Sequence, residues 1–128
     1  QTGGASFGIQ NAAIIAGGSP GAPTSQTESY NGTAWTALGA PSNLAVVAYT
    51  RSSAGTSTAG LTFGGNPGSP PYATTATEEF GGTTWTTGGA MNTAKRLGGG
   101  AGTQTAALSF GGFHVEWWCT CFNNYSTL

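Results

Sequence analysis

The stretch GTSTAGLTFGG, Gly55 to Gly65, has a counterpart on each side: GIQNAAIIAGG, Gly8 to Gly18, and GTQTAALSFGG, Gly102 to Gly112. The three align without gaps, and their closing diglycines stand 47 residues apart (Gly17 to Gly64, Gly64 to Gly111). Self-similarity at such a period marks a repeat architecture, in which each unit needs a neighbour to bury its apolar face. Within each stretch one set of alternate positions is bulky and the other small. Positions 59, 61 and 63 carry Ala, Leu and Phe, and 106, 108 and 110 repeat them; Gly60 and Thr62, or Ala107 and Ser109, lie between. That is the period of a β-strand, and the small alternate face suits a sheet packed closely on both sides.

A second element follows the first two diglycines: TESYNGTAWT, Thr27 to Thr36, and TEEFGGTTWT, Thr77 to Thr86. It reads as a hairpin. Asn31-Gly32 is the favoured dipeptide of a two-residue type I′ turn, and Gly81-Gly82 is an acceptable substitute. Tyr30 with Trp35, and Phe80 with Trp85, flank the turn as aromatic packing groups. The windows Leu44 to Thr56 and Ala94 to Thr103 could each supply one more strand. Strands are therefore expected near 10–17, 26–31, 33–38, 45–51, 58–64, 74–80, 83–87 and 105–111. Gly, Thr, Ser and Asn are poor helix formers, so no helix longer than two turns is expected.

A hydrophobic run ending in diglycine, then an acidic residue beside an aromatic, a tight turn and a Trp resembles the kelch repeat. The resemblance covers roughly residues 8–112 and is similar in particular to the low-charge, Thr- and Gly-rich kelch-like repeats of phage and marine microbial proteins. It implies an all-β chain of kelch-like β-propeller blades, two to three four-stranded antiparallel sheets. The single repeat domain, 1–128, divides into units 8–54, 55–101 and 102–128. The match has two departures: the Tyr-to-Trp turn is short, and the last unit ends in FHVEWWCTCFNNYSTL, Phe113 to Leu128. Three repeats in 128 residues also suit a β-trefoil or a β-prism. Propellers typically need four to eight blades, so the chain is expected to close only with further copies or with a longer assembly of similar repeats.

Charged residues make up 5% of the chain, against about 25% in ordinary soluble domains. Asp is absent, and the cations are Arg51, Lys95 and Arg96. Nucleic-acid binding needs clustered Lys and Arg, so no nucleic-acid partner is expected. The longest apolar run, Leu44 to Tyr49, falls far short of the ~20 residues of a membrane span, so no membrane insertion is expected either. No signal peptide is visible, and a start at Gln1 is read as processing or trimming.

Catalytic chemistry has little to draw on. The carboxylates are Glu28, Glu78, Glu79 and Glu116. Glu28 and Glu78 hold equivalent repeat positions, which points to a structural role. One His assembles no Ser-His-acid triad, and the copper site of galactose-oxidase-type kelch enzymes needs several His and Tyr ligands. On a regular strand His114 faces away from Cys119 and Cys121, and C-x-C plus one His falls short of the four ligands of a zinc site. No metal, cofactor or enzymatic activity is expected. Trp117 and Trp118 are the binding candidates, because exposed Trp stacks on sugar faces and anchors interfaces; packing is the plainer role for at least one of them. The function expected is a structural or adhesive binding module on an extracellular or virion surface. The alternative is a carbohydrate-binding lectin, which a glycan array would reveal. For the fold, far-ultraviolet circular dichroism should show a β-rich spectrum; a helical signature would overturn the reading.

Overall fold

A computed structural model describes residues 2–114 and 125–127 of the chain. It is all-β, with one 3₁₀ turn at Ala40–Ser42 among the described residues. The first sheet runs β1 (Ala5–Ile9), β2 (Ala12–Ala16), β3 (Thr27–Tyr30), β4 (Trp35–Ala37), each strand beside the last. The second repeats that order with β5 (Ser52–Thr56), β6 (Ala59–Phe63), β7 (Thr77–Phe80) and β8 (Trp85–Thr87). The third contains β9 (Gly99–Gly102), β10 (Ala107–Phe110) and β11 (Tyr125–Thr127). All pairings are antiparallel. None of these blade-like sheets closes into a barrel, and they pack face to face rather than walling a common interior, unlike a trefoil or prism.

The 47-residue period survives in the register. Ala5 pairs with Ala16, Ser52 with Phe63 and Gly99 with Phe110. On the next strand Ala16 pairs with Thr27, Phe63 with Thr77 and Phe110 with Tyr125. Sheets begin at Ala5, Ser52 and Gly99, three residues ahead of the expected unit boundaries at 8, 55 and 102.

Three local expectations shift. The strand expected at 45–51 forms instead at Ser52–Thr56, the window Ala94 to Thr103 supplies β9 as anticipated, and β1 and β11 join the strands expected. The apolar run Leu44 to Tyr49 looks strand-like, but its backbone groups are claimed by several separate segments, the Leu44 N–H donating to the Ser25 carbonyl. The Ala45 N–H donates to Glu78, the Ala48 carbonyl accepts from Gly18, and Tyr49 pairs with Asn66. The hairpin turns also move by one residue. The closing bonds run from the Asn31 N–H to the Ala34 carbonyl and from Gly81 to Thr84, so the central residues are Gly32-Thr33 and Gly82-Thr83. Asn31 Oδ1 accepts from the N–H groups of Thr33 (2.9 Å) and Ala34 (3.0 Å), holding Asn31 at the first corner of the turn.

Successive sheets meet through bulk on one face and absence of bulk on the next. The ring of Phe7 lies so close to Gly60 that a Cβ there would stand 2.1 Å from it. Phe7, Ile14 and Phe80 form one buried cluster, with Leu38 and Trp85 packed against it. Its rings are tilted or edge-on, with centroids 4.9–6.3 Å apart, the geometry aromatic quadrupoles favour. Between the second and third sheets the ring of Phe63 takes the space over Gly100, where a Cβ would be 2.6 Å away. Ala54, Leu61, Phe63, Met91 and Ala107 make that core. Burying one such phenylalanine stabilises by roughly 1.5–3 kcal/mol.

The diglycines stitch each sheet to its connection. The N–H of Gly18 donates to the Ala48 carbonyl at 3.2 Å and that of Gly65 to the Lys95 carbonyl at 2.7 Å. Gly65 has φ +109 and Gly112 φ +81, and a Cβ on Gly112 would lie 2.6 Å from the Arg96 carbonyl oxygen. Gly65→Val and Gly112→Val should each cost about 2–4 kcal/mol from left-handed strain plus overpacking. Gly89→Ala, with open space around it, should stay within about 0.5 kcal/mol. Chemical denaturation of the three variants checks this; equal stability would refute the blade alignment.

Candidate functional site

Trp117 and Trp118, the binding candidates from sequence, lie outside the described residues, as do Glu116, Cys119 and Cys121. Among the described residues no group of three or more His, Cys, Asp or Glu side chains comes together. Glu78 and Glu79 are neighbours on β7, and they divide: Glu78 is buried and Glu79 exposed, so the strand turns them to opposite faces. What the structure does concentrate is unpartnered packing surface.

The repeat shows where that surface is. Phe80 and Trp85, on the face of the second sheet that meets the first, are buried and half-buried. Their counterparts on the first sheet are Tyr30 and Trp35, whose rings stand 5.1 Å apart. No described sheet lies over them, and Trp35 is 51% exposed. At the other end, Leu61 and Phe63 of the second sheet are buried against the third. Their counterparts Leu108 and Phe110 are 39% and 42% exposed. The same motif thus presents one apolar face at each end of the stack.

A third feature lies between the second and third sheets, a cavity of about 250 Å³ lined by Leu61, Thr77, Glu79, Gly89, Gln104 and Thr105. Gln104 closes its inner wall by donating from Nε2 to the carbonyls of Gly60 (3.0 Å) and Phe80 (2.9 Å).

One charged arrangement escaped the sequence reading. Arg51 and Glu78 form a buried ion pair, Nη1 to Oε2 at 2.6 Å. Glu78 Oε1 also accepts from the Ala45 N–H at 2.6 Å, and Arg51 Nη1 donates to the Val46 carbonyl at 3.1 Å. Burial pushes the Arg51 guanidinium below its ordinary value, and the Glu78 charge opposes that. The pair belongs to the second sheet alone. In the first, Gly4 stands at the Arg51 position beside Glu28; in the third, Gly98 and Ser126 hold the two positions. The available signal was scarcity: a chain with three cations that places one directly before a strand has reason to bury it against a carboxylate. Only Nη1 of Arg51 is bonded, to Glu78 and to the Val46 carbonyl, while the buried Nε and Nη2 have no hydrogen-bond partner among the described residues; the pair ties the segment before β5 to β7.

No family model and no curated protein matches the sequence. Among solved structures the fold is similar to that of YjhT, with a TM-score of 0.73 and 14% identity over 98% of this chain and 40% of that one. The chain thus spans 40% of the length of that protein. At this identity the likeness speaks for the fold alone.

Glu78→Ala should destabilise the chain by about 3–5 kcal/mol, because it strands a buried guanidinium. Arg51→Met combined with Glu78→Leu should lose clearly less than the two single changes added together. Urea denaturation of Arg51→Met, Glu78→Leu and the double variant measures the coupling, and additive losses would show that the pair is not a unit.

Proposed function

We propose that this chain is a non-enzymatic structural or adhesive module of kelch type, assembling with like repeats through its two open sheet faces. The observation that carries this reading is the contrast between equivalent positions. Leu61 and Phe63, or Phe80 and Trp85, are covered inside the stack, whereas Leu108, Phe110 and Trp35 stand open at its ends. Apolar surface left open in a repeat whose interior copies bury it is the mark of an interaction site.

The contact is heterologous: the Leu108 and Phe110 face meets a Tyr30- and Trp35-type face, as Leu61 and Phe63 meet the third sheet. Repeated head to tail, such a contact gives a closed ring or a filament. The low charge supports it, because few like charges oppose the approach of two faces. The diglycine-and-Trp pattern supports kelch membership. The uncharged Thr- and Gly-rich surface supports an extracellular or virion location, where such a module would serve as scaffold or adhesin.

Light scattering on the 128-residue protein should show association that rises with concentration in the micromolar range. Trp35→Glu or Phe110→Glu should each shift the population toward monomer by placing a charge in the contact. A stable, folded monomer throughout that range would overturn the reading.

A further inference from the structure

We infer that Asn31 is a site of spontaneous covalent modification. In the folded chain its side-chain amide is hydrolysed through a cyclic imide with the Gly32 nitrogen, and the turn steers the product to ordinary aspartate.

The sequence supplies the first condition. An asparagine amide can be attacked by the backbone nitrogen of the next residue, and a side chain on that residue obstructs the approach. Glycine removes the obstacle, and no other asparagine of the chain precedes one. Asn66, by contrast, precedes a proline, whose nitrogen has no proton to give up.

The hairpin supplies the rest. Asn31, Gly32, Thr33 and Ala34 are all exposed, so water and hydroxide reach the turn. The bond from the Thr33 N–H to Asn31 Oδ1 closes a ring that contains the Gly32 nitrogen. The side-chain carbonyl is thereby folded over the atom that attacks it. Neither the Gly32 N–H nor Asn31 Nδ2 has a protein hydrogen-bond partner among the described residues. Nucleophile and leaving group are therefore both uncommitted. Nor does the turn depend on this side chain, since Gly81 to Thr84 closes its counterpart at 3.0 Å with a glycine in that place.

The reaction consumes one water and releases one ammonia, with no change of oxidation state. Gly32 N gives its proton to hydroxide and bonds to Asn31 Cγ, and the Cγ–Nδ2 bond breaks as ammonia leaves. Water then opens the imide at one of its two carbonyls. Opening at the main-chain carbonyl reroutes the backbone through the side chain and gives isoaspartate, the main product in unconstrained peptides. Opening at Cγ restores the ordinary backbone and gives aspartate. The N–H groups of Thr33 and Ala34 point at Oδ1, so they stabilise the negative charge that gathers there when Cγ is attacked, by the amide nitrogen and again by water. An aspartate carboxylate also keeps both bonds, now strengthened by its charge, whereas isoaspartate lengthens the backbone inside the turn.

Intact-mass measurement and ion exchange on the full chain at mildly alkaline pH follow the reaction, which adds one negative charge to the formal net charge of −1. A synthetic peptide of residues 28–36 and the chain unfolded in urea serve as references. The folded chain should react at least as fast as the peptide, and faster as hydroxide increases. Its aspartate-to-isoaspartate ratio should exceed the peptide's by about fivefold or more, the worth of one hydrogen bond. Gly81→Asn carries the site to the second hairpin, where an added Cβ would meet nothing nearer than the Thr84 carbonyl oxygen at 4.0 Å. That variant should gain a second event with the same product preference. A folded chain that reacts more slowly than the peptide, or that gives the peptide's product ratio, overturns the inference. So does a folded Gly81→Asn chain that stays intact at position 81 while the unfolded one reacts there.

Discussion

Sheets stacked face to face lie about 10 Å apart, a gap that ordinary side chains on both faces would fill or exceed. Here the gap is closed unevenly. The ring of Phe7 enters the space over Gly60, and that of Phe63 the space over Gly100. A glycine inside a strand weakens that strand by removing a packing side chain, yet these glycines let a whole phenylalanine be buried between sheets. The other inter-sheet bonds depend on this approach. Trp85 reaches Thr27, Gln104 reaches two carbonyls of the second sheet, and Ser53 Oγ donates to the Ser6 carbonyl at 2.7 Å only because the backbones come so near.

The same closeness explains why so little charge is tolerated. Faces covered on both sides by other sheets leave no water to solvate an ion, so a charge inside must arrive with its partner. Arg51 and Glu78 do so in the second sheet. The third sheet removes both, with Gly98 and Ser126, and the first keeps only the half-buried Glu28. The backbone scaffold of the repeat is thus independent of the ion pair, consistent with the general finding that buried ion pairs add little net stability over apolar packing.

Much of this was legible beforehand. The diglycines, the period-two strands and the aromatic pairs flanking each hairpin are local patterns set by backbone geometry, and the register repeats them every 47 residues. Where the reading slipped, a distant partner overrode a local pattern. Leu44 to Tyr49 has the look of a strand, but Glu78, Gly18 and Asn66 claim its backbone. The hairpin slip is local instead: both turns close one residue later, Asn31 to Ala34 and Gly81 to Thr84, and in the first Asn31 Oδ1 also accepts from the N–H groups of Thr33 and Ala34.

Strand propensity and the 47-residue repeat follow from the sequence alone, because both depend on residues near one another along the chain. Which copies of the repeat are covered does not. Trp35 and Trp85 sit in nearly identical local sequences, as do Phe63 and Phe110; one of each pair is packed and the other exposed. Only the tertiary stacking of the sheets separates them, since burial depends on what lies across the gap. The same holds for Thr27 and Thr77: alike in sequence and in burial, they differ solely in whether an indole faces them.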